Sequence, residues 1–496
     1  MTGTVYRNPD QSWFGLVHHS YGKCVKTANY SYGKCVKTAN YSYGKCVPAE
    51  TLINRTRYTF MKRLVYDDLL KWKDSRNRKP LLLEGVRQCG KTYILNKFGE
   101  QEYGDVAYFT FLDDPVVFNI FQTDLKPERI IKELGLLRGK KIEAGKTLII
   151  LDEIQFCNSA LASLKFFCEN APEYHIACAG SLLGVMTSKP LSFPVGKVNR
   201  IKMYPMSFKE FLLANSEDML VEHIDAGPEN DITSFSSKLK AYLDYYFLVG
   251  GMPGAVKAWI ENADIEEVDS ILDTIIKDYE SDFSKHASEP LSKLTLIWNS
   301  IPVQLAKDNR KFVFGHAKTG MRSRDLEDAL EWLINAGLVH KVKRAEKPEI
   351  PLPMFADNMD FKVYLADLGI LRRMSKIPSG FIFSRDKEYD RYRGAAAENY
   401  VLNELIVCNR DIPYYWTSGN AAEVDFVAQI DDAAVPIEAK AGSNKSKSLG
   451  EFIKRYDPKV AVVTSPRDNK SDVVVYVPLY LFWKVREIVM GRISAK

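Results

Sequence analysis

The eight residues Gly85 to Thr92 read G-V-R-Q-C-G-K-T, a string that few backbones can accommodate. It follows an apolar run, Pro80-Leu81-Leu82-Leu83, and its Lys91-Thr92 enters a stretch of helical character, Tyr93 to Phe98. Strand, glycine-bounded loop and helix, in that order, are the setting in which such a string binds phosphate. Gly85 and Gly90 permit the tight turn that aims successive N–H groups at phosphate oxygens. The following helix start adds its unpaired N–H groups and its dipole. Leu148 to Glu153 (L-I-I-L-D-E) supplies the partner motif, an apolar strand ending in two acids. Together the two strings predict a site in which Gly85, Val86, Arg87, Gln88, Cys89, Gly90, Lys91 and Thr92 cradle a nucleoside triphosphate. Lys91 is expected at the β- and γ-phosphates, Thr92 and Asp152 at Mg²⁺, and Glu153 beside the attacking water. Glu153 also reads as a solvated strand-end residue, and a loop that binds without hydrolysing would carry the same acids.

The chain has 496 residues, enough for two or three domains. Val106 to Leu112 and Tyr174 to Ala179 read as further strands separated by helical stretches, which predicts a parallel sheet with helices on both faces. No apolar run approaches the roughly 20 residues that cross a bilayer, and the N-terminus lacks a basic segment followed by an apolar core. No membrane partner is expected. The eight cysteines are scattered without a CxxC pair, so neither a zinc site nor a disulfide framework is indicated and a cytoplasmic setting fits.

The net charge of +5 is unevenly placed. Residues 1–60 hold eight Lys/Arg against two Asp/Glu, leaving the rest of the chain close to neutral at −1. The same segment repeats itself: Ser20 to Tyr30 (S-Y-G-K-C-V-K-T-A-N-Y) recurs identically from Ser31 to Tyr41, with a truncated copy from Ser42 to Val47. Gly and Asn in both full units make it a poor helix. Identity without divergence points to recent tandem duplication, so residues 1–60 are expected to be a disordered extension, with translation naturally starting near Met61. Val65, Leu69 and Trp72 then recur at helical spacing.

Further motifs accumulate downstream: G-S-L-L-G from Gly180, S-F-P-V-G-K-V from Ser192, Y-P-M-S-F-K-E-F from Tyr204 and G-G-M-P from Gly250. With the two nucleotide motifs, the chain from about 61 to 490 resembles a large prokaryotic family of AAA-superfamily ATP-binding proteins with a fused C-terminal domain of unknown function. That resemblance implies ATP binding and a nuclease-like C-terminal fold. Ser181, at the end of the strand after Asp152, stands where related ATPases place a γ-phosphate sensor, and it reads equally as a turn residue. Relatives often complete the site with an arginine from a neighbouring subunit, which implies a homo-oligomer. Arg200 is the candidate here, although a surface or packing arginine is the commoner role.

Arg322 to Val339 places Leu326, Leu330 and Leu333 on one helical face, with Gly337 ending the helix before a short strand. Helix followed by strand is a winged-helix profile, which binds DNA or simply packs domains; Arg322 and Arg324 are its candidate phosphate contacts. Near the end, Glu398 lies in an apparent helix, and Tyr414–Trp416, Glu423–Phe426 and Pro436–Lys440 read as strands. Asp425 with Glu438-x-Lys440 resembles a PD-(D/E)xK nuclease core, in which Glu398, Asp425 and Glu438 hold Mg²⁺ and Lys440 activates water. Alternating acid and lysine on a strand is also what cross-strand ion pairs look like. The expected architecture is α/β: an extension over 1–60, a P-loop AAA-type ATPase domain over 61–230, a helical, winged-helix-like connector over 231–345 and a restriction-endonuclease-like α/β domain over 346–496.

Overall fold

The computed structural model describes residues 61–495 apart from 182–193, 228–232, 286–292, 308, 319, 383, 385, 420–421, 441–446 and 466–471. The expectation of a disordered extension over 1–60 lies outside the described residues. All described residues belong to one compact unit, 57–496. The chain enters it through α1 (Val65–Asp74), whose Val65, Leu69 and Trp72 are the buried face. The Trp72 indole then donates to the Lys79 carbonyl at 2.8 Å, tying the helix to the strand that follows.

That strand is β1 (Leu81–Gly85), followed by α2 (Lys91–Glu102), β2 (Asp105–Thr110), α3 (Pro115–Thr123) and α4 (Pro127–Leu137). β3 (Thr147–Asp152), α5 (Asn158–Asn170), β4 (His175–Ser181) and β5 (Asn199–Met203) complete the sheet, in the order β2-β3-β4-β1-β5. Every neighbouring pair is parallel. β1 and β3 are buried at every position, the mark of central strands covered on both faces. Ile149 and Leu151 pack with Phe121, Ile130 and Leu164 from α3, α4 and α5. The opposite face meets α2, where a Cβ on Gly99 would lie 2.6 Å from Val106 and 3.2 Å from Leu148. The expected parallel sheet with helices on both faces is therefore what forms.

A run of helices follows: α6 (Phe208–Ala214), α7 (Asp218–Asp225), α8 (Ser236–Val249), α9 (Pro253–Asn262), α10 (Ile265–Lys285), α11 (Lys293–Leu305) and α12 (Ser323–Asn335). Leu326, Leu330 and Leu333 of α12 are buried, as their spacing implies, and Gly337 takes φ 73 before β6 (Val339–Ala345). β7 (Ala356–Leu365) returns antiparallel to β6, followed by α13 (Leu368–Met374) and α14 (Asp390–Asn409). β8 (Tyr414–Thr417), β9 (Glu423–Ile430), β10 (Ala433–Glu438), α15 (Lys447–Tyr456), β11 (Ala461–Val463), β12 (Val474–Tyr476) and α16 (Val485–Ser494) end the chain. The second sheet has the order β12-β11-β10-β9-β8-β6-β7. β6 joins it by pairing Arg344 with Tyr415, so the hairpin β6–β7 and the later strands share one sheet across residue 345.

The G-G-M-P string ties the two halves together. Gly251 donates its N–H to Asp367 Oδ2 at 2.6 Å and accepts from Met206 N at 2.7 Å. Asp367 also caps α13 by accepting from Ile370 N at 2.9 Å. A second tie is Glu404 of α14, which is buried and accepts from Phe208 N at 2.8 Å. Burial pushes its carboxyl up to about 8, with Glu210 nearby adding to the rise. Because the folded value is raised above the unfolded one, stability from this group is complete below about 4.5 and declines as pH rises towards 8. Urea midpoints measured across that window should fall with pH, and Glu404→Gln should flatten the slope.

Candidate functional site

The phosphate loop is fixed by close approaches on either side. A Cβ on Gly85 would meet the Met203 carbonyl oxygen of β5 at 2.3 Å, so glycine alone fits. Gln88 at φ 63 and Gly90 at φ 93 then turn the chain into α2. Lys91 is largely buried, and its Nζ donates to the carbonyls of Gly85 at 2.9 Å and Val86 at 3.0 Å. Thr92 Oγ1 donates to Asp152 Oδ2 at 2.9 Å, which joins the two motifs directly. The Tyr108 hydroxyl, one strand over, donates to the same oxygen at 2.8 Å. Burial and this anionic partner both push the Tyr108 hydroxyl well above its ordinary value.

Glu153 sits at φ 53 and ψ 40, a left-handed conformation that costs a non-glycine residue energy. Its N–H donates to Asp152 Oδ1 at 3.0 Å, and its carboxylate accepts from Gln155 Nε2. Lys91, Thr92 and Glu153 line one cleft of about 520 Å³. The Thr92 hydroxyl and the Asp152 carboxylate, joined by one hydrogen bond, are hard oxygen donors of the kind Mg²⁺ takes beside its waters, so the residues present fit Mg²⁺. Ser181 lies at the end of β4, in register with Gly85; its side chain is outside the described residues.

Three parts of the site were not foreseen. Arg63 is buried, donating to the Cys89 carbonyl at 2.8 Å, the Tyr204 carbonyl at 2.7 Å and Glu210 Oε1 at 3.0 Å. Glu210 also accepts from Leu64 N at 2.7 Å and Ser207 N at 2.8 Å, so one ion pair holds the loop, the end of β5 and the start of α6. Removing one partner of a buried pair strands the other, and Arg63→Ala should cost about 3 kcal/mol in urea unfolding. Second, Tyr108 supports Asp152. Third, α10 closes the cleft with Asp278, Tyr279 and Asp282. Arg200, the candidate for action in a neighbouring subunit, pairs with buried Glu84 of its own chain. Burial raises the Glu84 carboxyl and Arg200 works against that rise.

The C-terminal residues come only partly together. Asp425 of β9 accepts from Ala439 N at 2.9 Å, and Lys440, two residues beyond the end of β10, reaches Glu438 Oε1 at 2.7 Å. Glu398 of α14 accepts from Arg310 and, at 3.1 Å, from the Tyr364 hydroxyl. Among the described residues no group of three His, Cys, Asp or Glu side chains is placed to hold a metal ion. Arg322 and Arg324 are exposed at the start of α12, where the helix dipole disfavours cations.

Residues 77–212 match the AAA domain family; residues 240–380 and 393–482 match two domains of unknown function, DUF8612 and DUF4143. No protein of curated function matches the chain. Among solved structures, a Walker-type ATPase of Pyrococcus abyssi is 13% identical, with a TM-score of 0.41 over 64% of this chain and 96% of its own. The Orc1 protein of Aeropyrum pernix, solved in complex with DNA, is 16% identical, with a TM-score of 0.27 over 69% and 96%. The RuvB Holliday junction branch migration motor of Thermotoga maritima is 15% identical, with a TM-score of 0.24 over 61% and 94%. No helix among the described residues is long and apolar enough to cross a membrane. With its parallel sheet and joined nucleotide motifs, the segment 77–212 is an AAA-type, nucleotide-binding P-loop ATPase domain.

Proposed function

We propose that the chain is a Mg²⁺-dependent ATP hydrolase whose nucleotide state controls its C-terminal half. The observation that carries this reading is the 2.9 Å hydrogen bond from Thr92 to Asp152, which joins the two motifs whose Lys91, Thr92 and Glu153 line one cleft. Bound Mg²⁺ neutralises charge on the β- and γ-phosphate oxygens. The N–H groups of residues 86–91 orient the phosphates, Lys91 exchanges its loop carbonyls for phosphate oxygens, and Thr92 with Asp152 holds the cation. Glu153 accepts the proton of the attacking water, and Ser181 senses the γ-phosphate. The division into an ATPase domain (61–230), a winged-helix-like connector (231–345) and a nuclease-like domain (346–496) belongs to the same reading, with homo-oligomerisation and DNA as its partners.

For the C-terminal half we favour a binding module over a cleaving one, because Glu398 is committed to Arg310 and Tyr364. Phosphate release by the full chain, measured with and without duplex DNA, tests the coupling: stimulation supports it, and an unchanged rate with no DNA retained on a filter removes DNA from the reading. Incubation of DNA with Mg²⁺ or Mn²⁺ should give no strand scission; cleavage lost in Lys440→Ala would establish the nuclease alternative.

A further inference from the structure

α10 touches two distant places at once. Its last turns face the phosphate loop: Asp282 pairs with the Arg87 guanidinium, and Asp278 Oδ2 accepts from Gln88 Nε2 at 2.8 Å. Between them the Tyr279 hydroxyl donates to the Arg87 carbonyl at 2.9 Å. Its first half faces α13, where Arg373 binds Asp269 at 2.8 Å and Asp273 at 2.7 Å, and fully buried Arg372 also holds Asp269. At about 1.5 Å of rise per residue, the two acidic pairs stand about 13 Å apart on one rod.

Carboxylate and phosphate oxygens are interchangeable acceptors for guanidinium and amide donors. Arg87 and Gln88 belong to the phosphate loop and line the same cleft as Lys91 and Thr92. We propose that Asp278 and Asp282 are internal stand-ins for nucleotide phosphate. In this structure they occupy the side-chain donors of the loop, and binding of a nucleotide triphosphate exchanges carboxylate for phosphate on Arg87 and Gln88. The polyanion and the two carboxylates repel one another at that distance, so each excludes the other. Released from the loop, α10 shifts against α13 through Asp269 and Asp273, and the C-terminal half senses occupancy of the cleft. The proposal rests on the nucleotide reading of Gly85 to Thr92.

The test is a titration of the full chain with an ATP analogue carrying a fluorophore on the ribose, in Mg²⁺. Asp278→Asn and Asp282→Asn, together, should tighten binding about tenfold, the scale of one charge-assisted contact no longer competing. Asp282→Glu, which keeps the competing charge, should tighten binding clearly less than the double Asn variant does. Hydrogen exchange over residues 368–374 should quicken when nucleotide is added to the unsubstituted chain and be fast from the outset in the double variant. Binding that is unchanged or weaker in the Asn variants overturns the latch. Binding that Lys91→Ala leaves untouched overturns instead the nucleotide site beneath it.

Discussion

Glu153→Gln is expected to leave nucleotide bound while phosphate release drops by about 10²–10³-fold, because a carboxylate that takes a proton is replaced by an amide that cannot. Its neighbour gives a different result: Lys91→Ala should lose affinity and turnover together, since the ammonium binds phosphate in both ground and transition states. The contrast separates hydrolysis from mere occupancy. Equal, trace release from both variants and the unsubstituted chain would mean that the domain binds without turning over, and Glu153 would then be a strand-end residue held by Gln155.

Gly251→Ala is expected to be the most damaging of the structural substitutions, at about 4 kcal/mol or failure to fold. Its Cβ would stand 2.1 Å from the Met206 carbonyl oxygen and 2.8 Å from its nitrogen, both of them backbone atoms. The Met206 to Gly251 hydrogen bond and the Gly251 to Asp367 bond would both have to open. Gly250→Ala should be nearly as severe, at φ 76 and ψ −165 and with Gly369 N 2.5 Å from the new carbon. Thermal unfolding of each variant checks this; a midpoint within a degree or two of the unsubstituted chain would show that the node relaxes freely.

What could be read from the chain was what its chemistry keeps close in sequence. Gly85 to Thr92 holds its donors within eight residues, and α1 and α12 declare their buried faces by spacing alone. Arg63 gave no such signal, because its partners Cys89, Tyr204 and Glu210 lie 26, 141 and 147 residues away. The acids of α10 were visible as two pairs four residues apart, but an acidic helix face is ordinarily solvated, and only the fold brings Asp282 to Arg87. β5 escaped notice because N-R-I-K-M mixes charge into a strand at the edge of its sheet, where exposed positions tolerate it. Lys440 was read on the face of a strand that ends at Glu438, so its alignment comes from side-chain reach rather than from pleat.

The pairing of Arg344 with Tyr415 has a consequence for how pieces of this chain can be exchanged between proteins. A graft cut after residue 345 would strip β6 from the C-terminal sheet, leaving β7 without its partner and β8 as a bare edge, ready to recruit a strand from any neighbouring molecule. Recombination that respects solubility has to move the hairpin with the strands it shields. The natural unit of inheritance thus begins before Val339, inside what the sequence presents as a connector.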